Sequence, residues 1–596
     1  MSNPLSAQHR CDRVLGRAWA TLALALFACT GLAQTPSAVA VASAAPPVAL
    51  AGAAPSDARP VWEAFQKAGI KESEIALLAQ PLAPGAPLLL SHNEKLSFTL
   101  ASTTKVITTL ASLQVLPSSF RWRTRAWLTA APTEGRLAGD LVLVGGGDAT
   151  LTSARLIDWF KRLHKQGLSE VQGHIVLDQS LFRFNAKDHA NTPVPEAGNP
   201  HHALPDAFVV DESHFDVKLR AGDGGALLAG FNPPLGQVAV INQLSGSGRC
   251  TAQARFEPMA DAAPTAAPAV PVVRQRVPVP VPAPAVAAAS AAPAPNPADG
   301  GAVASANGAA PPAHSASAAA PGPLPTFAET AEPTRVAPTP PVARVVISGQ
   351  WSPRCVTPLT MDAVPSRALS AALVAGAWEA SGGRLTGRVQ HRDGAAPSVR
   401  GARRQRTPSS PYPGKPWATL DSAPLPELVR AINKDSNNLM ARNLLLSMAP
   451  GFSPTTSTLQ LARQRLEVWF KKTAAGVEAP RVDNGSGLSH TEQGSVLSMV
   501  QLLQGAWADP KAQKVFVASL PVAGADGTLA GRFKGSVAQR NAFLKTGTLN
   551  GVRSLAGYVR GKSGRMIAVA VVVNSERATA AVPAMDRFIE WVQQNG

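Results

Sequence analysis

Apolar side chains recur along this chain with two periods, and the changes of period outline its organisation. Segment 61–69 (VWEAFQKAG) has the spacing of a short amphipathic helix, while 75–78 and 87–91 read as two strands joined by a turn. Apolar positions at 106, 107, 110, 111 and 113 predict a buried helix that begins near Ser102. From 121 to 215 the pattern is mixed, with strands at 141–144 and 173–177 around a helix at 154–166. Folded-looking chain returns at 344 (RVVISGQW) and in a helix at 368–381. The last third is the most regular, with helices at 425–432, 437–447, 458–471 and 493–508. Strands at 542–548, 553–559 and 566–573 follow, then a closing helix at 582–594. Helices followed by an antiparallel meander imply a sheet covered by helices, an α/β (α+β) architecture.

Composition divides this pattern. The 596 residues include 53 prolines and 48 glycines, and Ala, Pro, Val and Ser dominate 262–343 and, more briefly, 34–60. Both stretches read as linkers, the longer one as a disordered insert. At the N-terminus Arg10, Arg13 and Arg17 precede an apolar run over 18–32, and Gly31 and Ala33 suit a signal-peptide cleavage after 33. That run is too short for a comfortable membrane span. A lipoprotein-type site at Cys29 is the minor alternative, which Phe27 fits poorly. Without the signal, only Cys250 and Cys355 remain of four cysteines. An even pair in an oxidising compartment predicts one disulfide, bracketing the insert. The net charge of +17 normally points to nucleic acid, but an exported basic protein meets anionic envelope polymers and lipid surfaces instead. No nucleic-acid partner is expected, and membrane association is at most peripheral. The clearest basic cluster, Arg400, Arg403, Arg404 and Arg406, reads as a solvated loop.

Three short motifs carry the chemistry: Ser102-Thr103-Thr104-Lys105, Ser436-Asn437-Asn438 and Lys545-Thr546-Gly547. Each is weak alone, a helix cap or a surface lysine, and their joint occurrence in this order is the signal. A spacing of three on a helix puts Ser102 and Lys105 on one face, with the hydroxyl at the positively polarised N-terminal end. A lysine base must be neutral, yet an unperturbed one is neutral in only about one molecule in 2,500 at pH 7. Burial and a second cation would depress it, and Lys545 is the candidate neighbour, also offering charge to a substrate carboxylate. Ser436 could relay a proton to a leaving amine, and Asn438 could hold a peptide backbone. On its strand Gly547 admits a close-lying substrate, and the N–H groups of Ser102 and Thr548 would face an oxyanion. His201-His202 has no partner at metal-ligand spacing and reads as a surface loop; no metal or cofactor is expected.

These motifs, with GDLVLVGGGDATLT (139–152), VDNGSGLSH (482–490) and LPVAGADGTL (520–529), resemble the D-alanyl-D-alanine carboxypeptidase/endopeptidases of the penicillin-binding protein 4 type. The resemblance implies a penicillin-binding/serine β-lactamase-like transpeptidase fold with accessory β-rich domains inserted between the first and second motifs. The expected division is a signal peptide over 1–33, a linker over 34–60, catalytic parts over 61–130 and 413–596, and accessory parts over 131–261 and 344–412. It also implies that Ser102 is acylated by peptidoglycan stem peptides and by β-lactams, with Lys105 and Ser436 catalytic and Asn438, Lys545, Thr546, Gly547 and Thr548 binding substrate in the periplasm. His490 and the loop 191–202 depart from the family pattern. A β-lactamase-like hydrolase and a catalytically idle envelope scaffold are the alternatives.

Overall fold

The computed structural model describes residues 57–185, 187–188, 202–221, 227–245, 249–259, 341–355, 359–361, 366–392, 412, 415–451, 453 and 455–596. The signal segment, nearly all of both linkers, the Arg400–Arg406 cluster and most of the loop 191–202 lie outside them.

A five-stranded antiparallel sheet joins the two ends of the described chain. Its order is Ala542–Leu549, Val552–Arg560, Met566–Asn574, Ile75–Pro81, Leu90–His92. The N-terminal strand therefore docks on the last strand of the C-terminal meander, from Ile75 opposite Val573 to Pro81 opposite Ile567. Because successive side chains point to opposite faces, this strand feeds two cores. Ile75, Leu77 and Ala79 pack with helices Arg59–Lys67 and Val582–Asn595. Ala76 and Leu78 pack with helices Thr104–Val115, Thr458–Thr473 and Val496–Ala508. Both faces are covered, which is why 567–573 reads as an unbroken apolar run, every residue of it buried.

The chain between these parts builds a β-rich region. Its main sheet runs Val389–His391, Ile175–Asp178, Leu141–Val144, Arg123–Leu128, Ala418–Asp421. A four-stranded sheet holds Val238–Leu244, Ala343–Gly349, Gln253–Pro258 and Thr360–Met361. The Ala-rich helix Ser366–Ala380 buries Leu369, Leu373, Val374 and Trp378 in the core these sheets share with helix Ser153–Lys165. Arg123–Leu128 and Ala418–Asp421 pair with each other at the edge of this sheet, so the chain enters and leaves the region on adjacent strands. Cys250 and Cys355 form the expected disulfide, with Cα atoms 5.6 Å apart. Among the described residues no helix is long and apolar enough to cross a membrane.

Candidate active site

Residues Ala101–Thr103 make a tight 3₁₀ turn that runs directly into helix Thr104–Val115, so Ser102 sits on the entry turn and Lys105 one turn on. Lys105 is fully buried. Its Nζ lies 2.9 Å from Ser102 Oγ, 2.5 Å from Asn438 Oδ1 and 2.5 Å from the Ser486 carbonyl oxygen. The last two are pure acceptors, whereas a hydroxyl can donate. The protonated amine donates to all three, and once neutral its two N–H groups can stay on the two pure acceptors while its lone pair meets Ser102 Oγ. Burial pushes Lys105 well below the ordinary 10.5; Lys545 and Arg442 lower it further, and Glu492 pulls it partly back.

The second motif occupies the two-residue joint between helices Leu425–Asp435 and Asn438–Ser447. Ser436 there adopts a left-handed conformation, φ 57° and ψ 33°, which turns its hydroxyl toward the third motif. Asn437 caps the following helix, Oδ1 accepting from the Met440 N–H at 2.8 Å, and Asn438 faces the opposite way, onto Lys105. On the strand Ala542–Leu549, Lys545 is fully buried and donates to Ser436 Oγ and to the Thr546 carbonyl, both at 2.8 Å. Burial alone pushes it down to about 7. Two positions require glycine. A Cβ at Gly547 would lie 2.0 Å from Ser554 Oγ and 3.1 Å from the Ser102 nitrogen, so only glycine lets the strand pass the serine this closely. Gly487, at φ 84°, would set a Cβ 2.0 Å from the Ala101 carbonyl oxygen.

Ser102, Lys105, Ser436, Asn438, Lys545 and Gly547 thus come together from three distant stretches of sequence. Thr546 turns its hydroxyl toward Thr528, 2.8 Å away, and Thr548 is exposed next along the strand. His201 lies outside the described residues. Among those described, no group of three or more His, Cys, Asp or Glu side chains could hold a metal ion.

Four contributors escape the motif reading. Ser486 supplies the carbonyl that fixes Lys105, from a loop bent by Gly485 and Gly487 at positive φ. Glu492, fully buried, shapes that loop: Oε1 accepts the N–H groups of Asp483, Asn484 and Gly485, and Oε2 that of Gly487. Burial pushes its carboxyl up while these N–H groups pull it down. Arg442 is buried, pushed down to about 10 by desolvation, and donates to the Ala203 carbonyl at 2.7 Å. Glu212 reaches Asn437 from the β-rich region, accepting from Nδ2 at 2.6 Å. Ser486 alone among these fell in a stretch that the sequence had marked, VDNGSGLSH (482–490).

Over 173 residues the chain is 35% identical to a D-alanyl-D-alanine carboxypeptidase of Actinomadura sp. (strain R39), covering 28% of this chain and 31% of that one. Over 170 residues it is 28% identical to the D-alanyl-D-alanine carboxypeptidase DacB of Haemophilus influenzae, covering 28% and 35%. The matched segments therefore span about a third of these relatives' length. The crystal structure of penicillin binding protein 4 (dacB) from H. influenzae superposes with a TM-score of 0.59 at 19% identity, covering 90% of this chain and 99% of that one, so the two share a fold. The model of the D-Ala-D-Ala carboxypeptidase 3 (S13) family matches residues 59–263 and 343–594, and the chain belongs to that family.

Proposed function

We propose that this chain is a serine peptidase that removes the terminal D-alanine of peptidoglycan stem peptides and cuts D-alanyl cross-links through an acyl-enzyme on Ser102. The observation that carries this reading is the buried Lys105 amine, 2.9 Å from Ser102 Oγ with its other two partners both acceptors. Lys105 takes the Ser102 proton as Oγ attacks the carbonyl carbon of the penultimate D-alanine. The N–H groups of Ser102 and Thr548 receive the developing oxyanion, each worth about 2.7–4 kcal/mol of barrier. Ser436, held by Lys545, passes a proton to the departing amine as the C–N bond breaks, and water then hydrolyses the ester. Lys545, Thr546 and Thr548 hold the terminal carboxylate, while Asn438 holds the peptide backbone.

A β-lactam presents the same carboxylate and a strained amide, and acylates the same oxygen. We place the enzyme in the periplasm, exported by residues 1–33, and divide it into catalytic parts around an inserted accessory region. The test is release of D-alanine from diacetyl-Lys-D-Ala-D-Ala together with labelling by fluorescent penicillin. Wild-type protein is expected to do both, with a label that persists for many minutes. Ser102→Ala should do neither. Unchanged release by that variant, or rapid turnover of the label, overturns the assignment.

A further inference from the structure

The second motif differs from the usual Ser-Asp-Asn pattern in having Asn437 at its centre, and the β-rich region shows a reason. Asp211, Glu212 and Ser213 are three consecutive residues in the left-handed conformation, at φ 48°, 51° and 57°. Isolated residues visit that region; a run of three needs external anchors. They are present. Asp211 Oδ2 accepts from the backbone N–H of Ser153 at 3.0 Å and from its hydroxyl at 2.5 Å, and the Asp211 N–H donates to the Leu151 carbonyl at 2.9 Å. Val210, just before the turn, is buried in the core of the β-rich region, while Val209 packs with the helices on either side of the second motif. The turn is therefore fixed to the β-rich region, and its projecting side chain is Glu212, which receives the Asn437 Nδ2–H at 2.6 Å.

Asn437 has one oxygen and one nitrogen, and both are used. Oδ1 caps the Met440 N–H and Nδ2 donates to Glu212. An aspartate here would keep the cap but set its second oxygen against the Glu212 carboxylate. We infer that Glu212 is a positioning residue of the active site, an anchor from the β-rich region that holds the Ser436-Asn437-Asn438 turn through Asn437 and makes asparagine obligatory at 437. Ser436 and Asn438 flank Asn437 and meet Lys545 and Lys105 respectively, so loosening the turn disturbs the proton relay and the base together.

This inference rests on the proposed peptidase reading. The experiment compares Asn437→Asp, Glu212→Gln and the double variant for D-alanine release and for the rate of fluorescent-penicillin labelling. Asn437→Asp preserves the helix cap and is expected to lower kcat by about ten-fold, with a smaller rise in KM through Asn438, because two carboxylates now face each other where a hydrogen bond stood. Glu212→Gln retains an oxygen for Nδ2 and should stay within about three-fold of wild type. Adding Glu212→Gln to Asn437→Asp should restore kcat, because the amide can donate to the new carboxylate; a fold-wide defect would not be rescued this way. Wild-type rates in Asn437→Asp, or no rescue by the second change, overturn the inference. A wild-type protein that neither releases D-alanine nor takes the label overturns the peptidase reading instead.

Discussion

The two regions of this molecule bury charge in opposite ways. In the β-rich region the buried member of an ion pair is the carboxylate: Asp148 and Asp178 side chains are 1% exposed, while their partners Arg155 and Arg392 remain 30% and 34% exposed. Asp206 and Arg367 repeat the arrangement at 10% and 53%. The long guanidinium arms keep touching water, so geometry is fixed at a small desolvation cost. In the helix-covered sheet the cations themselves are inside. Lys105 and Lys545 have no exposed surface and Arg442 has 2%, with Glu492 as the fully buried carboxylate among them. Burying like charges side by side destabilises a fold, and such an arrangement persists where the chemistry needs an amine short of its proton.

The sharpest way to break this contrast is to make the buried charge permanent. Lys105→Arg keeps a cation and removes the accessible neutral form, so D-alanine release should fall by about 1,000-fold. Arg155→Lys, the corresponding swap in the β-rich region, should leave turnover within about two-fold. Activity of Lys105→Arg within ten-fold of wild type would end the neutral-amine account.

Lys545 gives the next largest effect. Its folded-state value near 7 lies below the ordinary 10.5, so above pH 7 the free enzyme progressively loses the charge that we propose meets the substrate carboxylate. KM for a carboxylate-ended peptide should therefore climb toward about ten-fold per pH unit above 7, while the methyl ester shows no such rise. The same shift affects stability with the opposite sign. Between about pH 7 and 10.5 the unfolded chain binds the extra proton, so stability rises with pH across that window. Lys545→Met should weaken the carboxylate ligand by about 100-fold and flatten the pH dependence of urea unfolding in that window.

What the sequence disclosed follows from how local each cause is. The meander 542–573 was legible because long apolar strands between turn residues need little context, and their ends move by only one residue in the structure. The helix Pro510–Ser519 was missed. Its Val515-Phe516-Val517 run looks strand-like, and only Ala512, Phe516 and Ser519 are buried, although Asp509 followed by proline was a readable cap. Gln493 was expected inside a helix but pairs with Thr99, and the helix starts only after Ser495, whose hydroxyl caps the Ser498 N–H. Ser102, Lys105, Ser436 and Lys545 were nameable from motifs because fixed short spacings place them. Glu492 was not: its neighbours are polar, and its burial arises from four N–H groups that converge only once the loop 483–487 closes.

That closure yields an intermediate effect. Glu492→Gln keeps one oxygen and turns an N–H₂ toward a backbone donor, which should cost about 2–3 kcal/mol in urea unfolding. Activity should fall less than in the lysine variants, since Ser486 is displaced rather than removed. A substitution of equal type in the β-rich region, Glu257→Gln, touches only exposed arginines, and should cost under about 1 kcal/mol. Equal losses at the two sites would erase the distinction between the regions.

The smallest effect on turnover is expected where the β-rich region carries the Ala/Pro-rich segment. Strands Gln253–Pro258 and Ala343–Gly349 pair antiparallel with Pro258 opposite Ala343, and the Met259 N–H donates to the Val342 carbonyl at 3.1 Å. The chain thus leaves and re-enters at the two ends of a hairpin, and the family match omits the same stretch, stopping at 263 and resuming at 343. Replacing 261–340 with a four-residue Asn-Gly turn should leave kcat and KM unchanged. Each halving of a closed loop recovers about 0.6 kcal/mol of closure entropy, so going from eighty residues to four should raise stability by about 2–3 kcal/mol. The disulfide sharpens the test. Cys250 and Cys355 now close a loop of sequence separation 105, so opening them by Cys→Ser should cost less in the shortened protein than in the full chain. A fall in turnover on excision would mean that the segment reaches the site, and the β-rich region would then be more than the scaffold that presents Glu212.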